Sequence, residues 1–200
     1  WDAVVALCLS WSRARGRLAP EYAGTVTRAR LLPGMGMLLP DILHRLVPGL
    51  DQERMKPILE EVLSGENAYV AAHGGVLYPG VEQTLAALSA RCPLFLVSNC
   101  QDGYIEAFFQ AHGLGRYFTD YENPGRTGLP KADNIALVAE RNGLRRPLYI
   151  GDTQGDYDAA SKAGVPFLHA AYGFGRIDRP VPSVATFGER PDAIRRLTPP

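Results

Sequence analysis

Hydrophobic residues recur at three- and four-residue spacing through the first third of the chain, and the period then changes. Val4, Val5, Cys8, Leu9 and Trp11 follow helical spacing behind Asp2, which suits an N-cap. ILHRLV (42–47) and MKPILEEVLSGENAYVAAH (55–73) repeat the pattern, with Pro57 early enough in the second for a helix's first turn. The intervening LAP, LLPGMG and LVPG read as turns. These segments predict a helical domain over residues 5–76. After GGVLYPG, a turn-rich hinge, helices alternate with short apolar, branched runs. Helices are predicted at 81–91, 104–113, 131–143, 155–164 and 190–197, and strands at 92–99, 117–123, 147–152, 165–173 and 183–187. Such alternation implies βαβ units, a parallel sheet, and ligands at the carboxyl ends of the strands. Residues 77–200 are therefore expected to form an α/β core domain.

Composition narrows the function classes. The chain is 46% hydrophobic and 21% charged, as in ordinary globular proteins. Lys+Arg and Asp+Glu both number 21, so there is no global basic field to draw in nucleic acid or an anionic membrane. No apolar run approaches the roughly 18 residues of a membrane span. The three cysteines form no CxxC pair, and Cys92 on its apolar run is expected as a reduced, buried thiol, which fits a reducing cytoplasm.

Three strand ends carry polar residues that can converge. In LVSN, Ser98 and Asn99 bring a hydroxyl and backbone N–H groups to the approach of the next helix, which suits a phosphate oxygen and equally suits a plain cap. Lys131 opens the helix of KADNIALVAER, where the positive end of the helix dipole opposes it unless an anion is near. A solvated lysine is the bland alternative. YIGDTQGDYDAASKAGVP sets Asp152 and Asp156 at a strand tip with glycines easing the turn. Two such carboxylates are reconciled by a cation such as Mg²⁺, or serve as helix caps. Asp158 reads as an exposed first-turn acid.

In this order, LVSN, GLPKADNI and GDTQGD resemble the second, third and fourth motifs of the haloacid dehalogenase superfamily. LYPGVEQTLAAL, YIGDTQGDYDAASKAGVPF and AAYGFG are similar to its phosphoglycolate phosphatase-like branch. The resemblance implies an α/β Rossmannoid three-layer sandwich formed by residues 1–4 and 77–200, with residues 5–76 as an inserted helical cap. It further implies a Mg²⁺-dependent phosphatase acting on a small phosphorylated metabolite through an aspartyl-phosphate. Ser98 and Asn99 would bind the phosphoryl group, Lys131 would neutralise it, and Asp152 and Asp156 would form the metal site. The family's first motif, DxDGTL, which carries the nucleophile and the acid/base on the central strand, is absent from these 200 residues. Trp1 and Asp2 match the pair that follows it. The sequence is accordingly expected to be a fragment without phosphatase turnover, Asp2 and Asp102 being poor substitutes for the nucleophile. A phosphomutase or dehalogenase of the same superfamily, or a phosphate-binding module that lost its nucleophile, are the competing readings. Arg28, Arg30 and Tyr69 are possible substrate-facing groups, though solvation or packing suits each better. His73 reads as a hinge residue and Cys100 as a packed one.

Overall fold

The computed structural model describes residues 1–5, 7–9, 11, 12 and 26–197; the predicted LAP turn lies outside them. The chain divides into two compact units, Trp1–Leu77 with Cys100–Gly115, and Tyr78–Asn99 with Arg116–Pro200.

The first unit is helical. Its opening helix includes residues 4, 5, 7–9, 11 and 12; the Ala3 carbonyl accepts the Leu7 N–H, so Asp2, expected as the N-cap, stands one residue earlier and accepts the Val4 N–H on Oδ1 at 3.0 Å. Val4, Leu7 and Trp11 are buried, whereas Val5 and Leu9 are exposed, so the apolar face runs through Leu7 and not through the predicted Val5/Leu9 edge. Helix α1 (Leu39–Leu46) buries Ile42, Leu43 and Leu46. Helix α2 (Gln52–His73) begins earlier than its apolar pattern suggests, because Asp51 caps it by accepting from the Arg54 N–H at 2.8 Å. Pro57 therefore lies beyond the first turn, where its missing N–H deprives the Glu53 carbonyl of a helical donor.

Ile58, Val62, Glu66 and Val70 form the buried face of α2 at four-residue spacing. Helix α4 (Tyr104–His112; α3 belongs to the second unit) packs along α2, and Trp1 lies against Tyr104, Phe108 and His112. A bridge between Asp2 and Val76 adds to this grouping. Residues 1–4 and 100–115, expected in the α/β domain, thus group with the helices.

Glu66 is the anomaly on that face. It is 2% exposed and accepts from Trp11 Nε1 at 2.7 Å and Gln101 Nε2 at 3.2 Å. Gln101 also donates to Asn67 Oδ1, and Asn67 Nδ2 donates to the Asp102 carbonyl. Burial raises the Glu66 pKa above its ordinary value, outweighing these two hydrogen bonds. A carboxyl whose folded pKa exceeds its unfolded one penalises folding when ionised, and the penalty disappears as pH falls through the folded value. Urea melts across pH are therefore expected to show wild type gaining stability relative to Glu66→Gln on acidification from neutrality. Parallel profiles would contradict the raised pKa.

The second unit is α/β. Helix α3 (Val81–Ser89) leads to β1 (Phe95–Val97), which pairs parallel with β2 (Asp120–Glu122), Val97 opposite Glu122. Helix α5 (Lys131–Arg141), β3 (Tyr149–Gly151), α6 (Gln154–Lys162), β4 (Phe167–Ala170), β5 (Ser183–Val184) and α7 (Arg190–Leu197) follow. The three later strands form a parallel sheet ordered β3-β4-β5. The strands are shorter than predicted. In 92–99 the Cys92 N–H still closes the end of α3 on the Leu88 carbonyl, and Pro93 has no N–H for a ladder. Cys92 is consequently exposed, correcting the buried-thiol expectation.

Alternation along β3 sorts the layers. Tyr149 joins a cluster of Ala132, Ile135, Ala159 and Val165 from the α5/α6 side, while Leu148 and Ile150 pack with Leu168, Val184 and Ala193 on the α7 side. On β2, Arg141 binds both Asp120 and Glu122 at 2.7 and 2.6 Å. Among the described residues β1 pairs only with β2, and β3 only with β4, so each keeps one unpaired edge. No described helix is long and apolar enough to cross a membrane.

Candidate active site

One small core assembles the three strand-end motifs. Val97, just before Ser98, Ala132, just after Lys131, and Tyr149 and Ala159, flanking the Asp152–Asp156 segment, all belong to the same apolar cluster. Burying these neighbours brings the polar residues beside them to one end of the α/β unit.

Lys131 starts α5 behind Pro130, and its Nζ lies 2.6 Å from Asp156 Oδ1, with both side chains nearly buried. Asp156 is the anion that the unfavourable dipole position of Lys131 calls for. It is also a helix cap: Thr153 Oγ1 accepts from the Asp156 N–H, and Asp156 Oδ2 accepts from the Thr153 N–H and hydroxyl and from the Asp152 N–H. Tyr149 adds a donor to Oδ1 at 3.4 Å. Burial would raise the Asp156 pKa, but the charge and hydrogen bond of Lys131, with the Thr153 bonds, prevail and lower it.

Lys131 on Oδ1, with the Asp152 N–H and the Thr153 N–H and hydroxyl on Oδ2, occupies most of this carboxylate. Asp156, expected in the metal site directly or through water, also ties Lys131 to the Asp152 backbone. The capping alternative is realised in the same side chain. Gly151 is obligatory here, since a Cβ on it would lie 2.4 Å from Asp156 Cβ. Asp158 is exposed, as read, and accepts from Gln154.

Asp152 is partly exposed, and its Oδ2 accepts the Phe174 N–H at 2.7 Å. Among the described residues no donor is bonded to Oδ1. Ser98 follows β1, and its N–H is committed to the Glu122 carbonyl at 3.2 Å, while its hydroxyl has no bond within the described residues. The next helix begins at Tyr104, as predicted, and belongs to the first unit, so what Ser98 itself offers on this loop is a hydroxyl. Asn99 is partly buried on the same loop.

Sequence reasoning overlooked Tyr149. Its hydroxyl lies 3.0 Å from the Val97 carbonyl as well as near Asp156, linking the base of the Ser98 loop to the Lys131 clasp. Burial, then the negative charge of Asp156, pushes its pKa well above the ordinary phenol range, so it remains a donor. The available signal was a hydroxyl-bearing residue opening an otherwise apolar strand. Arg28 and Arg30 serve structure: Arg28 pairs with Asp2, and Arg30 donates to the Leu46 carbonyl at the end of α1. Tyr69 stacks on His73.

A hydroxyl, a buried ammonium and an open carboxylate oxygen at strand ends suit an anion and a hard cation together. The donor set fits Mg²⁺, which is held through one or two carboxylates plus substrate phosphate and water and needs no all-protein cage. Among the described residues no group of three His, Cys, Asp or Glu side chains forms such a cage.

A family description, haloacid dehalogenase-like hydrolase, matches residues 11–170, a span that holds Ser98, Lys131, Asp152 and Asp156. The chain belongs to the haloacid dehalogenase-like hydrolases. Within that family it is 34% identical over 137 residues to the phosphoglycolate phosphatase of Escherichia coli K12, the match covering 64% of this chain and 52% of that enzyme. The Salmonella typhimurium phosphoglycolate phosphatase is 31% identical over the same length. The chain spans about half the length of the curated relatives it matches. The fold is shared with a haloacid dehalogenase-like chain from Bacteroides fragilis (TM-score 0.81, 20% identity, 94% of this chain and 93% of that one). It is also shared with CbbY from Rhodobacter sphaeroides, solved with phosphate (TM-score 0.72, 16% identity, 94% and 90%).

Proposed function

We propose that this chain is part of a Mg²⁺-dependent phosphomonoester hydrolase acting on a small phosphorylated metabolite. The attacking aspartate would come from a strand outside residues 1–200 that pairs with β1 and β3. The carrying observation is the clasp of Lys131 on Asp156, which in turn accepts the Asp152 N–H and leaves Asp152 Oδ1 open. The unpaired edges of β1 and β3 support the additional strand. Cysteines that form no disulfide among the described residues suit a reducing cytoplasm.

Phosphoryl transfer asks for positioning and charge neutralisation more than for covalent chemistry by the protein. The Ser98 hydroxyl, with the Asn99 loop, donates to a phosphoryl oxygen. Lys131 supplies a fixed positive charge, kept in place by Asp156, against the charge that builds on the transferring group. Asp152 Oδ1 is the oxygen that would hold Mg²⁺, which supplies Lewis-acid neutralisation of the phosphate when bound. Tyr149 keeps the Ser98 loop and the clasp in register. The aspartyl-phosphate would form on the additional strand.

The test is p-nitrophenyl phosphate turnover with Mg²⁺ by residues 1–200 and by the reading frame extended upstream of Trp1. Turnover by the extended protein alone is the expected result. An extended protein that carries a DxD pair yet binds phosphate without turnover would favour a phosphate-binding module, and halide release from haloacids would favour a dehalogenase.

A further inference from the structure

The loop after β4 approaches Asp152 more closely than any side chain would permit. A Cβ on Gly173 would lie 2.3 Å from Asp152 Cβ and 2.4 Å from its Oδ2, and a Cβ on Gly175 would lie 2.6 Å from the Asp152 carbonyl and 2.8 Å from Thr153 Cα. Between them, the Phe174 N–H donates to Asp152 Oδ2 at 2.7 Å. The two glycines remove the steric barrier, and the amide between them fixes one carboxylate oxygen.

The loop is anchored at both ends. Tyr172 packs edge-on against Tyr78 with centroids 4.9 Å apart, and its hydroxyl accepts from Arg190, whose guanidinium lies 3.6 Å from the Phe187 ring centroid. Further on, the Asp178 N–H donates to Gln154 Oε1 at 3.0 Å, joining the loop to the first turn of α6.

We propose that Gly173-Phe174-Gly175 is a positioning strap that engages Asp152 Oδ2 and so presents Oδ1 as a single, pre-oriented oxygen to the divalent cation. The proposal rests on the reading of Asp152 as the metal-holding carboxylate. The strap acts through its backbone, so the Phe174 side chain is dispensable and the Gly173 hydrogen is not. A bulkier residue at 173 pushes Asp152 aside; outer contacts that orient a metal ligand typically account for about 10- to 100-fold in affinity.

The experiment titrates the full chain with Mn²⁺ as a probe for Mg²⁺, read by electron paramagnetic resonance, with no activity required. Gly173→Ala is expected to bind Mn²⁺ about 10- to 100-fold more weakly than wild type, with an unchanged circular dichroism spectrum. Phe174→Ala, which keeps the N–H, is expected to bind like wild type. So is Gly188→Ala, where an added Cβ meets nothing within 4 Å. Equal affinity of wild type and Gly173→Ala overturns the strap while leaving the metal reading intact. Wild type that binds no Mn²⁺, or binds it equally after Asp152→Asn, overturns the metal reading and the strap with it. If Gly173→Ala fails to fold, the Phe174 amide proton resonance of wild type decides: it is expected to shift as Mg²⁺ saturates, and no shift at saturation overturns the proposal.

Discussion

Lys131→Met is expected to lower the unfolding free energy by about 3–5 kcal/mol, the usual result of leaving one member of a buried ion pair without its partner. The Lys131 and Asp156 side chains retain 10% and 7% of their exposure, so water cannot take over the neutralisation of Asp156. The remaining bonds from Tyr149, Thr153 and the Asp152 backbone would then surround an uncompensated carboxylate. Urea denaturation measures the loss. Adding Asp156→Asn removes the stranded charge, so the double variant should be more stable than Lys131→Met alone. Additive losses in this cycle would mean that the pair is not energetically coupled.

The pair also sets a direction for acid sensitivity. The Asp156 pKa is lowered in the folded state, so its contribution is complete above the ordinary aspartate range and is lost as pH falls through the depressed folded value. Glu66 acts in the opposite sense, and the two lie in different units. Asp156→Asn should flatten the acid limb of wild type, whereas Glu66→Gln should steepen it.

The second large effect concerns catalysis. In the extended reading frame, Asp152→Asn is expected to lower kcat/KM for p-nitrophenyl phosphate by about 10²–10³, the scale on which one charge-stabilising group at a developing anion contributes. The variant retains the shape of Asp152 and its acceptor for the Phe174 amide while losing the charge that would hold Mg²⁺. The stability of Asp152→Asn, read by thermal melting, should stay close to wild type. Activity that survives undiminished would remove Asp152 from the metal site.

Much of this was legible in the chain itself. Helical spacing marked α1 and α2, the change of period marked the transition near residue 77, and LVSN, GLPKADNI and GDTQGD marked the strand ends whose neighbours share one core. Other features were hidden for identifiable reasons. The DQER start of α2 carries no apolar period, and only the Asp51 cap reveals it. Cys92 looked buried because the apolar run was read as strand throughout, whereas Pro93 and the end of α3 shorten it. Nothing in its sequence context sets Glu66 apart from the other acids of α2, and only the fold brings Trp11 Nε1 to it as a buried donor.

The sequence by itself determined the order and chemistry of the site: a hydroxyl, then an ammonium, then two carboxylates, each at the end of a strand or the start of a helix. Only the tertiary structure decided how the two carboxylates divide their work. Asp156 and Asp152 are both strand-tip acids four positions apart, indistinguishable by charge or spacing. Packing of Val97, Ala132, Tyr149 and Ala159 brings Lys131 and Tyr149 onto one of them, and a pair of distant glycines admits a backbone amide to one oxygen of the other. Which hydrogen bonds each carboxylate accepts is a property of neighbours that meet through folding, and among the described residues it leaves Asp152 Oδ1 without a bonded donor.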